Sequence, residues 1–164
     1  MNHLKIEAQL KRLADSQSQL SDLLTLVTES QDWCPEPEEW SFRFVAAHLA
    51  TAERECFQDR IHLITAGDNP SFEYYSNTDW DFSCLDLQTS LKSWRETRQS
   101  IFEFVRGLPK DTWSLTGFHK INGPITVWDV LDSMREHDQE HIIELQKMMI
   151  KFRNEEGHRH GQTR

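Results

Sequence analysis

Residues 126–152 read TVWDVLDSMREHDQEHIIELQKMMIKF. Val130, Met134, Leu145 and Met148 recur at a helical spacing. At about 100° per residue they fall roughly 20–80° round from His137. His141 lies one turn further along and about 40° round from His137. Both histidines therefore sit inside the apolar stripe, and the segment predicts an amphipathic helix whose inner face carries two imidazoles. A buried imidazole must either find hydrogen-bond partners or bind something. A pair at i, i+4 can converge on one ion, although a polar core or surface reading stays open for the pair alone. Asp138 and Glu140 flank the pair on opposite sides, and Glu144 stands one turn below.

Three further helical patterns precede this one. The first spans residues 4–29, with Ile6, Leu10, Leu13, Leu20, Leu23, Leu24 and Val27 at helical spacing. DWCPEPEEW at 32–40 interrupts it, because two prolines cannot sit inside a helix. Ser41 is a candidate N-cap for the second helix, which runs to Ala66 and stops at GDNP, 67–70. Phe44, Val45, His48, Leu49, Ala52, Cys56 and Leu63 fall on one side of it. Residues 68–84 form a long loop rich in turn formers and aromatics, of a length that is commonly functional. The third helix spans 85–106 and ends at GLPKD, 107–111. Residues 113–124, WSLTGFHKINGP, suggest a short hairpin or irregular connection, with Asn122-Gly123 favouring a tight turn. The polar stretch 153–164 is expected to be a fraying, flexible tail. The expectation is an all-α four-helix bundle in one domain over 1–152, with its six tryptophans in the core or under the two loops.

The formal net charge of −9, from 27 acidic and 18 basic residues, argues against a nucleic-acid partner and against docking on anionic lipid. No apolar run approaches the roughly 20 residues that span a bilayer. The N-terminus has no apolar stretch of signal-peptide type, so a cytoplasmic protein is the expectation. Cys34, Cys56 and Cys84 are odd in number and well separated, which fits free thiols better than a disulfide framework.

The second helix supplies a third inward histidine, His48, and Ala52 one turn on leaves space beside it. Three neutral imidazoles on two packed helices, with a coordination position left open, suit Zn²⁺ or another borderline ion such as Ni²⁺. His3 and His62 read as solvated, His119 as a surface residue of the connection with an approach to the pocket as the alternative, and His158 and His160 as part of the solvated tail, with adventitious metal binding as the alternative. Glu140, Glu144 and Glu55 are candidate general bases by helical position, or else partners that hold a ligand imidazole. HDQEH also fits the inverted zinc-protease pattern H-x-x-E-H with Glu140 as base. Only 23 residues follow His141, which leaves little chain for the later acidic ligand that pattern requires.

Two blocks carry a family resemblance. The first is EWSFRFVAAHLATAERECFQDRI at 39–61, with its Trp-Ser entry and inward histidine. The second is GPITVWDVLDSMREHDQEHIIELQKM at 123–148, with the H-D-x-x-H pair followed by I-x-x-L-Q. In order and spacing these resemble the DinB-like family of small metal-binding four-helix bundles. The resemblance implies a divalent ion held by His48, His137 and His141, an open position facing a pocket, and homodimerisation. It also implies a metal-dependent enzyme acting on a small molecule. Its members include transferases and isomerases that use low-molecular-weight thiols such as bacillithiol or mycothiol. A thiol S-transferase or a hydrolase is therefore the leading expectation, and a non-catalytic metal-binding or partner-binding bundle is the alternative.

Overall fold

Four apolar helical stripes close on one another in a computed structural model that describes the backbone over residues 3–161 and side chains over 3–158. Helix α1 spans His3–Thr25. Helices α2, Phe42–Ala52, and α3, Asp59–Ala66, continue each other through a π-helical segment, Glu53–Gln58. Helix α4 spans Leu87–Arg106 and α5 spans Val127–Gly161. Counting α2 through α3 as one rod, the chain is a four-helix bundle, with α1 packed on α5 and α2 on α4. No described helix is long and apolar enough to cross a membrane.

Local chemistry sets the helix ends. The Ser41 hydroxyl accepts from the Phe44 amide at 3.2 Å, and Asp86 caps α4 by accepting from the Thr89 amide at 2.9 Å. Gly67 ends α3 at φ 87°, in the left-handed region where a side chain would be strained. Three expectations are corrected. Leu63 is exposed, and Ile61 and Ile64 are the buried residues of α3. The π turn inserts one extra residue, which rotates everything after it by about 100° relative to an unbroken α-helix. The last helix passes Phe152, where the sequence pattern ended it, and continues to Gly161. Phe152 packs edge-on against Trp33 and Phe42, and the Trp33 indole donates to Glu155 at 3.0 Å, so the added turns have tertiary anchors. Finally, Trp80 is largely exposed rather than buried.

The two loops meet in a small sheet that no strand pattern announced beyond the suggested hairpin. Strands β1, Ser71–Phe72, and β2, Gly117–His119, pair in parallel, and β2 turns back antiparallel onto β3, Gly123–Ile125. Gly117 lies so close to the Phe72 ring that a side chain would not fit there.

The core is divided in two. One apolar cluster contains Leu10, Leu13, Phe57, Ile61, Ile101, Leu131 and Met134. The other contains Leu20, Phe42, Leu49, Leu91, Trp94, Ile142 and Leu145. Each helical rod also contributes buried polar residues: Ser16 from α1, His48 and Glu53 from the second rod, Arg98 from α4, and Asp138 and His141 from α5.

Candidate metal centre

His48 on α2 and His137 and His141 on α5 bring their ligand nitrogens within 4.8 Å of one another. The Nε2 atom of His137 lies 3.0 Å from Nε2 of His48 and 3.2 Å from Nε2 of His141. Two Zn–N bonds of about 2.0–2.1 Å at a tetrahedral angle would hold their nitrogens about 3.3 Å apart, so the spacing suits a shared ion.

The outer ring nitrogens determine which way the lone pairs face. Nδ1 of His48 donates to Asn77 Oδ1 at 2.6 Å, and Nδ1 of His141 donates to Glu144 Oε2 at 2.7 Å. An amide oxygen and a carboxylate only accept, so the proton of each neutral ring sits on Nδ1. Both Nε2 atoms therefore present lone pairs inward. His137 Nε2 can donate to at most one of them, which leaves lone pairs facing each other. Protonating His48 or His137 does not relieve this. Burial, reinforced by the neighbouring His141, pushes His48 down to about 4. Burial, then His141, His48 and Arg98, push His137 down to about 2. The donor set fits a cation better than it fits itself.

Trp40 lies over the rings of His48 and His141, at centroid distances of 4.8 and 6.0 Å, and Phe57 meets His137 at 5.5 Å. The histidines open into a cavity of about 470 Å³. Tyr74 to Thr78 of the long loop and His119, Ile121 and Asn122 of the hairpin also line it. The Asn77 amide lies against the Tyr75 hydroxyl, and neither Nδ2 nor the hydroxyl closes a hydrogen bond.

The candidate bases separate. Glu144 is the hydrogen-bond partner of His141. Glu140 is exposed at the edge of the cavity. Glu55 pairs with Arg54 at 2.9 Å and lines an adjoining depression whose lining includes none of the three histidines. His3 and His62 are exposed as expected, and His62 meets the Phe104 ring. His119 is a correction: it is buried in β2 and faces the cavity rather than the surface, because the sheet pairing draws the hairpin inward. His158 is exposed, and His160 lies outside the described side chains. The three cysteines are free. Cys56 lies at the cavity wall, where burial pushes its thiol up to about 11.

Beside the histidines is a charged cluster that the sequence reading missed. Arg98 donates from Nε and Nη2 to Glu53 at 2.6 and 2.7 Å. It donates from Nη1 and Nη2 to Asp138 at 2.7 and 3.1 Å, and from Nη1 to the Leu13 carbonyl at 2.9 Å. All five guanidinium protons are thereby used. The Trp94 indole also donates to Glu53, and the Ser16 hydroxyl to Asp138. Asp138 carried a signal, since it lies about 100° from His137 and only some 20° beyond Leu145 at the edge of the stripe. Nothing local marked Arg98 or Glu53.

The DinB superfamily family model matches residues 9–145 of this chain. No curated protein matches it significantly in sequence. Among solved structures, YfiT from Bacillus subtilis, a probable metal-dependent hydrolase with an unusual four-helix bundle topology, superposes with a TM-score of 0.77 at 19% identity. That match covers 93% of this chain and 90% of YfiT. A mycothiol-dependent maleylpyruvate isomerase superposes with a TM-score of 0.66 at 16% identity over 85% of this chain, which spans 60% of the isomerase. At these identities the likeness establishes a common fold.

Proposed function

The chain belongs to the DinB superfamily, and we propose that it is a divalent-metal-dependent enzyme acting on a small molecule, with His48, His137 and His141 as the ligands. The observation that carries this reading is the convergence of three Nε2 atoms, two of them on rings whose proton is held at Nδ1. Zn²⁺ or Ni²⁺ suits three neutral imidazoles. Bound there, the ion would supply Lewis acidity, lowering the pKa of a water or a thiol to near neutrality.

The protein's own groups prepare the site for such chemistry. Asn77 and Glu144 hold the imidazoles of His48 and His141 in the tautomer that presents Nε2. Trp40 and Phe57 shield the rings from bulk water. Ala52, one turn from His48, leaves the cavity floor open. A cavity of about 470 Å³ is sized for a small molecule. Hydrolysis and transfer to a low-molecular-weight thiol both need a deprotonated nucleophile in such a pocket. YfiT, named a probable metal-dependent hydrolase, and the mycothiol-dependent isomerase lend support to the two classes respectively.

The test is the metal content of untagged protein after dialysis. Native protein should retain one ion per chain, and His48→Ala should lose most of it while keeping its helical circular dichroism. Equal retention by His48→Ala would remove the triad as the site. Screening the loaded protein against ester, amide and electrophile panels, with and without thiols, then separates hydrolase from transferase.

A further inference from the structure

The cavity that holds the three histidines has a second polar wall, built from donors rather than ligands. Apart from histidines, Arg60 and Glu140 are the only formally charged residues among the described ones that line it. Arg60 projects from α3. Its Nη2 donates to the Glu73 carbonyl at 3.0 Å, and its guanidinium lies 5.6 Å from the centroid of the Phe72 ring. The nearby Glu73 carboxylate is taken by Lys120 at 2.5 Å. Among the described residues, Arg60 thus has no carboxylate partner, in a protein whose net charge is −9.

His119 stands beside it for a topological reason. Strands β1 and β2 pair Phe72 with His119, so the residue that stacks under Arg60 also sets the position of the imidazole. His119 Nδ1 accepts from the backbone amides of Ile121 and Asn122, each at 3.3 Å. A nitrogen that accepts two N–H groups carries no proton, so the proton of the neutral ring is on Nε2. That Nε2–H has no protein acceptor among the described residues, and burial together with the Arg60 charge holds the ring neutral. The wall therefore offers a guanidinium fork and a neutral N–H donor, and both lack an anionic acceptor.

We propose that Arg60 and His119 form an anion-recognition subsite that binds a carboxylate of the substrate and so fixes the remainder of the molecule over the three histidines. A planar guanidinium matches a carboxylate in charge and in geometry. One cation and one neutral donor suit a single carboxylate group. The subsite itself is independent of the ion, and its catalytic meaning rests on the metal-site reading above.

Succinate and its neutral analogue succinamide are suitable probes, titrated by calorimetry into the zinc-loaded and the ion-free protein. Because a carboxylate can also ligate an ion, the ion-free arm isolates the wall. Succinate should bind about tenfold more tightly than succinamide in both forms. That preference should disappear in Arg60→Gln, recover only in part in Arg60→Lys, and shrink severalfold in His119→Gln. In ¹⁵N spectra of the native protein, succinate should shift the Arg60 Nε–H and the Ile121 and Asn122 amides. Equal affinity for the two probes, or an unchanged preference in Arg60→Gln, overturns the proposal. If Arg60→Gln loses its helical signal, Arg60→Lys and His119→Gln decide by the same criterion. Failure of the metal assay with intact succinate preference would sink the metal reading and spare the subsite, and the converse result would do the opposite.

Discussion

Two polar clusters share the middle of this bundle, and they solve burial in opposite ways. The Glu53–Arg98–Asp138 cluster is closed: every guanidinium proton has an acceptor, and the two acids share one cation. The histidine cluster is open: its protons point outward to Asn77 and Glu144, and its lone pairs point at one another. Cost explains the difference. A buried charge without a partner is strongly destabilising, so a structural cluster must be complete within the protein. A binding site must be incomplete until its ligand arrives. The closed cluster lies close enough for the Arg98 charge to act on His137.

The sharpest break of this contrast is Arg98→Met. It would leave two buried carboxylates facing each other, and chemical unfolding should show a loss of about 3–5 kcal/mol. If the cluster is only structural, replacing Glu53, Arg98 and Asp138 together by apolar residues should restore much of that loss. A triple variant as unstable as Arg98→Met would show that the charges do more than satisfy one another.

Acid should expose the open cluster next. Burial holds His48 and His137 below their ordinary value, so the folded, ion-free protein keeps them neutral while the unfolded chain protonates them below about 6.5. Their contribution is therefore fully present above pH 6.5 and is lost as pH falls toward about 4 for His48 and about 2 for His137. Urea unfolding of ion-free protein at pH 7 and pH 5 should differ by about 2–4 kcal/mol. The difference should shrink in His137→Asn, and an unchanged difference there would count against neutral burial.

A smaller effect is expected from Glu144→Gln. It keeps the fold but weakens the hold on His141 Nδ1, so metal affinity should fall about 10–100-fold by competition with a chelating dye. The smallest change belongs to Glu55→Gln. Glu55 is half-exposed, paired with Arg54 and not among the residues that line the histidine cavity, so stability should move by less than about 0.5 kcal/mol and metal content should not change.

What was legible in the chain follows from periodicity. Four helices, the Ser41 cap, the Gly67 stop and the inward aim of His48, His137 and His141 all come from local spacing and local hydrogen bonding. The π segment was not legible, because one inserted residue leaves composition unchanged while moving Leu63 outward and Ile64 inward. Nor was the last turn of α5, which looks polar and aperiodic but is anchored through Trp33 to Phe152 and Glu155.

The sequence alone determined the four amphipathic helical stripes and the three inward imidazoles, since a helix's faces depend only on residues a few positions apart. Tertiary structure decided which partners those faces meet. Arg98 reaches Glu53 and Asp138 across sequence separations of 45 and 40 residues, and His48 finds Asn77 across 29. It also decided that Phe72 would carry Arg60 on its ring and His119 on the neighbouring strand. Such pairings depend on packing geometry between distant segments, and no local pattern encodes them.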